Sequence, residues 1–254
     1  MASLRRTILN NLRRLLIGRG YRLQRAPRCL SVLPNGDLRV SLDQVLSERM
    51  LELNDPSDMF FLQIGAFDGV SNDPIHHHVV KHGWRGVLIE PQPWAYERLK
   101  ETYKDCSGLV IRNVAISDQG SKRELFVLDT ENPKAPHWAG QVASFDRATI
   151  TKHAALVPEA NEIQSIVVDV MPLKAVISEH QVERIDVLQI DTEGFDFEIL
   201  KMVDFEALAP FVIHYEHCHL NKADAEKSFR LLIENGYQVA VGETDTIARL
   251  TIPT

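Results

Sequence analysis

Cysteine is scarce in this chain of 254 residues: Cys29, Cys106 and Cys218 are its only three, and none falls in a CxxC pair. A set that is odd in number and scattered excludes a disulfide framework and a thiolate zinc site, and it points to a reducing cytoplasm. Long apolar runs are also missing, since nothing approaches the roughly 18 consecutive apolar residues that a spanning helix needs. No internal repeat, low-complexity tract or HExxH metal motif occurs. GxGxxG is absent as well, which argues against a nicotinamide dinucleotide.

Acid is absent from the first 30 residues, which carry eight arginines (Arg5, Arg6, Arg13, Arg14, Arg19, Arg22, Arg25 and Arg28). Those eight leave 20 of the 28 bases to face all 35 acids in residues 31–254, a sum of −15. So acidic a body repels phosphate backbones, and nucleic acid is not expected as a partner. Within the basic arm Leu4, Ile8, Leu12, Leu15 and Leu16 recur at helical spacing, as in an amphipathic helix. Such a helix docks peripherally on an anionic membrane or acidic partner, or packs on its own domain or on a second subunit as a homodimer. The same composition is found in organelle transit peptides, a reading that nothing else supports.

With 44% hydrophobic and 25% charged residues, the remainder has the proportions of a globular domain. Three stretches follow: the arm (1–30), a lead-in segment (31–57) and a domain (58–254). From residue 59 apolar runs alternate with helical stretches, the pattern of a parallel sheet covered by helices. Strands are expected at 59–64, 86–90, 109–114, 185–190 and 211–215, then at 237–241 and 246–252 after a helix at 223–235 that Gly236 stops. An insertion at about 123–170 holds two further strands, 124–128 and 164–170, around a polar segment with Pro133, Pro136 and Pro158. It is too long to be a mere connector.

The first strand, Phe60 to Ile64, runs into Gly65-Ala66-Phe67-Asp68-Gly69, and Asp73-Pro74 then reads as an N-cap followed by a first helical residue. Glycines there allow a tight turn and close approach to a ligand. The second strand ends in Glu90, 25 residues after Gly65, where an acid can accept hydrogen bonds from both hydroxyls of a ribose. An acid inside the turn repels a pyrophosphate but suits the amino-acid portion and sulfonium charge of S-adenosylmethionine. A methyl donor is therefore favoured over NAD.

IGAFDGVSNDP, GWRGVLIEPQP, VIRNVAIS, ASFDR, VDVMPL, LQIDTEGFDFEIL and HYEH occur in that order. Together they resemble the FkbM-type methyltransferase family over residues 58 to 250, with the arm outside the resemblance. The resemblance implies a Rossmann-like class I methyltransferase fold, a mostly parallel seven-stranded α/β sheet with helices on both faces. It also implies that Gly65, Ala66, Asp68 and Gly69 meet the methionine end of S-adenosylmethionine, that Glu90 binds its ribose and that Asn113 and Ala115 border the adenine. Ser144 and Asp191 complete the pocket. Phe67 and Thr192 depart from the family's usual residues and bear on the pocket's fine shape. The acceptor implied is a small molecule or glycan, methylated on a sugar hydroxyl.

Methyl transfer to a hydroxyl needs alignment, exclusion of water and a base. Asp191, Glu193 and Asp196 follow the fourth strand, and His214, Glu216 and His217 surround the fifth. Open α/β sheets bind ligands at the carboxyl ends of their strands, so Glu216, Asp191, Glu193 and His217 are the expected catalytic residues. Alternation puts His214 and Glu216 on one face and Tyr215 and His217 on the other, so one histidine is structural. Asp191 and Glu193 could instead cap a helix starting near Phe195. No metal is expected, and His76, His77, His78 and His82 read as a solvated helix face. A nicotinamide-dependent oxidoreductase and a noncatalytic membrane adaptor that keeps the fold are the alternatives.

Overall fold

The computed structural model describes residues 30–32, 38–128, 136–157 and 162–251. The expected amphipathic helix of the arm lies outside these residues. The chain divides into two compact units, 1–39 and 40–254. Ahead of the main sheet, β1 (Leu30–Val32) pairs with β2 (Leu38–Val40) in a two-stranded sheet.

The second unit is built on seven strands: β3 (Phe60–Ile64), β4 (Arg85–Ile89), β5 (Leu109–Arg112), β10 (Val187–Ile190), β11 (Val212–Glu216), β12 (Tyr237–Val241) and β13 (Asp245–Leu250). Their order is β12-β13-β11-β10-β3-β4-β5. Every pairing is parallel except the two made by β13. The chain leaves β3 toward β4 and β5, then returns to its other side for β10 and β11. A topological switch point therefore lies between β3 and β10, where open α/β sheets leave a crevice beyond the carboxyl ends of the strands.

Period-two alternation separates the two faces of this sheet. Phe61 and its register partner Val187 pack with Leu46 and Met50 of α1 (Leu42–Glu52), Val79 of α2 (His76–His82) and Leu99 of α3 (Pro93–Thr102). The opposite parity carries Ile64, Ile190 and Tyr215, and the Tyr215 hydroxyl meets Ser228 Oγ on α7 (Lys222–Glu234) at 2.8 Å. Helices thus cover both faces. Helix α1 lies in the stretch read as a lead-in, yet Leu46 and Met50 are buried in the same cluster as Phe61 and Trp84.

The insertion forms its own four-stranded sheet in the order β6-β9-β7-β8: β6 (Ala115–Ile116), β7 (Lys122–Leu128), β8 (Ala143–Ser144) and β9 (Ile163–Met171). Helix α4 (Arg147–Ala154) follows β8, and its N-cap Asp146 accepts from Ala148 N. The remaining helices are α5 (Leu173–Glu179) and α6 (Asp196–Lys201).

Candidate active site

A cavity of about 310 Å³ opens at the carboxyl ends of β3, β4, β10 and β11, within the size range of small-molecule pockets. Gly65 lies at its floor with φ +82°, and a Cβ there would sit 1.8 Å from the Asp191 carbonyl oxygen. Only glycine lets the ends of β3 and β10 come this close. The backbone N–H groups of Gly65 and Ala66 both donate to Ile89 O, which ties this turn to the end of β4.

Glu90 lines the cavity and is 3% exposed. Its two carboxylate oxygens accept from Phe67 N and Gln92 N, each at 2.8 Å. Burial outweighs those bonds and pushes its pKa up to about 7. Phe67 is held at φ +46°, an uncommon conformation for a residue with a side chain, and its ring meets Trp94 edge to face. Ala115 borders the cavity, whereas Asn113 stands behind it, donating from Nδ2 to the carbonyls of Glu90 and Pro91.

Two residues expected at the methionine end do not line the cavity. Asp68 accepts from Val70 N, Ser71 N and Ser71 Oγ, so its carboxylate is engaged within the loop. Gly69 has φ +73°, and a Cβ there would strike Tyr103 and Leu99, so packing against α3 explains this glycine. In their place the cavity presents Gln63 and Asp73, which sequence reasoning missed as site residues. Gln63 Nε2 donates to Asp73 Oδ2 at 3.1 Å, while the buried Gln63 Oε1 has no partner. The other Asp73 oxygen accepts from Ile75 N and His76 N, so α2 starts at His76, two residues later than the Asp73-Pro74 pair suggested. The signal for Gln63 was a polar residue inside an otherwise apolar strand.

Asp191, Glu193 and Glu216 converge on the opposite wall. Burial, reinforced by repulsion among the acids, raises them to about 7, about 8 and about 9 respectively. None of them caps α6. Asp196, fully buried, accepts from Gly194 N and Thr192 Oγ1 on a single oxygen, and burial raises its pKa to about 6. Ser144 is on the wall too, where its hydroxyl donates to the Glu193 carbonyl and accepts from Asp146 N.

Two histidines outside the expected set reach these acids. Nε2 of His153, on α4, lies 3.4 Å from Glu193 Oε2, and Nε2 of His219, in the turn after β11, lies 3.1 Å from the same oxygen. His219 Nε2 is also 3.4 Å from Glu216 Oε2. Burial lowers the pKa of His153 and takes that of His219 down to about 4. His217, expected in catalysis, lies outside the cavity lining. It shares the Tyr215 parity, contacts Thr246 Oγ1 through Nδ1 and packs on Phe229 of α7. His214 sits beneath the site, its Nδ1 2.7 Å from Gln189 Oε1. The helix read as a solvated histidine face buries one of the set: His78 is 6% exposed, stacks on Trp84 and contacts Asp43.

Comparison with known proteins bears on this geometry. The family model described as the methyltransferase FkbM domain matches residues 63–239. Among solved structures, the methyltransferase FkbM from Methylobacillus flagellatus KT is 15% identical, with a TM-score of 0.47 over 78% of this chain and 44% of that protein. The chain thus spans less than half of that relative's length. Precorrin-6y C5,15-methyltransferase from Geobacter metallireducens GS-15 is 14% identical, with a TM-score of 0.40 over 82% of this chain and 86% of that one. An RNA methyltransferase from Salinibacter ruber, solved with S-adenosyl-L-homocysteine, is 17% identical, with a TM-score of 0.37 over 85% of this chain and 94% of that one. No curated protein sequence matches the chain.

Proposed function

Because the chain belongs to the FkbM methyltransferase family, we propose that it transfers a methyl group from S-adenosylmethionine to a hydroxyl oxygen of a sugar, glycan or glycosylated natural product. The observation that carries this reading is one cavity joining Glu90, at the end of β4, to the acids at the ends of β10 and β11. The residues present suit the cofactor. Glu90 offers acceptor capacity to a ribose diol beyond its two backbone bonds, and the open backbone at Gly65 leaves room above the strand ends. Gln63 Oε1, buried and unpartnered on the cavity wall, can accept from an ammonium group.

When bound, S-adenosylmethionine supplies a methyl carbon already activated by its sulfonium. The chain's own residues then have to align the acceptor and exclude water. The insertion contributes the outer wall through Gln141, Ala143, Ser144 and Phe145, with Phe145 packed edge to face on Phe195. Glu216 and Asp191 stand at the ends of adjacent parallel strands at the acceptor side, where Glu216, held protonated by burial, can orient a hydroxyl and Asp191, raised only to about 7, can take its proton.

The test is to incubate the full chain with methyl-labelled donor and a fractionated extract of glycans and glycosylated small molecules. Label is expected as an ether methyl on a hydroxyl-bearing product. Label confined to nitrogen, or to nucleic acid, would overturn the proposed acceptor class.

A further inference from the structure

We infer that His153, Glu193 and His219 form a binding site for one divalent transition-metal ion behind the cavity wall, with Glu193 the ligand that also lines the cavity. Three chain segments far apart in sequence deliver these groups: α4 of the insertion, the turn after β10 and the turn after β11. Both imidazole Nε2 atoms converge on one carboxylate oxygen, at 3.4 and 3.1 Å. That oxygen is buried, yet it accepts no hydrogen bond, so the imidazoles approach it without donating to it. A neutral Glu193 carboxyl can donate its one proton to only one of the two imidazoles, so hydrogen bonding leaves the other approach unexplained.

A shared ion explains it. Nitrogen and oxygen ligands lie about 2.0 to 2.2 Å from zinc, so their mutual separations in a tetrahedral shell are roughly 3.3 to 3.6 Å. The observed separations fall at or just under that span. Two histidines and one glutamate also form a ligand set that catalytic zinc sites use, with the fourth position left open. Imidazole nitrogen favours transition metals over magnesium or calcium, which prefer oxygen.

Local structure supports the arrangement. Gly194 has φ +98°, a conformation that L side chains rarely adopt, and this shapes the turn after β10 beside His219 and Thr149. Ser144 Oγ holds the Glu193 carbonyl at 2.8 Å, a supporting contact of the kind that orients ligands. Among the described residues, Glu193 and Glu216 have histidine nitrogens within 4 Å and no lysine or arginine nitrogen. Glu216 Oε2, also buried and without a hydrogen-bond partner, adjoins His219 on the cavity side. Glu193 joins this cluster to the cavity lining, so an ion held there adds positive charge beside the acceptor-side acids, a role that rests on the proposed methyl transfer.

The experiment uses the untagged full chain, stripped with chelator and titrated with Zn2+ and with Co2+, whose visible spectrum reports coordination. One equivalent is expected to bind. His153→Ala and His219→Ala should each weaken it by more than the roughly 10- to 100-fold that losing a mere supporting group costs. The doubly substituted Asp43→Asn/His77→Ala chain removes a second histidine–carboxylate group and should leave the equivalent in place. Wild-type binding weaker than about 100 μM, or a loss of no more than about 100-fold in either histidine variant, would overturn the site. If neither histidine variant folds, the Co2+ spectrum of the wild type decides, and the absence of a ligand-field band overturns it. S-adenosylhomocysteine titrated into the same samples separates the two claims, because its binding without metal binding removes only the metal site.

Discussion

Glu90 is where burial and chemistry meet in a single side chain. Its ordinary pKa is 4.5, and in the folded chain burial raises it to about 7. The folded state therefore holds this proton more tightly than the unfolded state does. The stability it contributes is full below pH 4.5 and is lost as pH rises through about 7, by on the order of 3 kcal/mol. Urea unfolding between pH 5 and 8 should show the wild type losing stability more steeply than Glu90→Gln, which has no proton to lose. Parallel curves would contradict the assigned burial. Glu90 was legible in the sequence because an acid ending an apolar strand is conspicuous. Asp68 was expected at the methionine end, and its carboxylate bonds its own loop, as an aspartate two residues ahead of an amide readily does. His153 and His219 were not legible at all, since 66 residues separate them and only tertiary packing brings them together.

Elements carry the site by fixing where strand ends stop. Asp186, just before β10, is fully buried and joins three segments. It accepts from Arg49 of α1, from Arg184 and from Phe60 N of β3. Asp186→Ala should leave Phe60 N without its acceptor and take one partner from Arg49, which keeps Glu52, and from the half-exposed Arg184, at a cost of about 1 to 3 kcal/mol, read as a fall in the urea midpoint at constant slope. A change within about 0.5 kcal/mol would mean that this junction does not hold α1 to the sheet. Strands β3, β4, β10, β11 and β12 were expected within two residues of their observed ends, because apolar runs punctuated by glycine and proline are a strong signal. Helix α1 was missed, since Leu42, Val45, Leu46 and Met50 make only a narrow apolar stripe among polar residues. β6 and β8 escaped because two residues carry no period.

At the scale of the molecule, the sheet has one switch point, between β3 and β10, and charge is uneven along the chain. No helix among the described residues is long and apolar enough to cross a membrane. The eight arginines in residues 1–30 are the part suited to an anionic surface. Removing residues 1–29 should leave binding of S-adenosylhomocysteine unchanged and lower binding to phosphatidylserine vesicles, with the difference vanishing at high salt. Equal vesicle binding by both chains would exclude the membrane reading and leave packing on the domain or on a second subunit. The proposed methyl transfer requires that the cavity between β3 and β10 hold S-adenosylmethionine with Glu90 on its ribose. Isothermal titration of S-adenosylhomocysteine into the wild type and into folded Glu90→Ala tests it most directly. The account predicts one site per chain, weakened by about 1 to 3 kcal/mol in the variant, whereas no wild-type binding, or equal affinity in the two proteins, would contradict it.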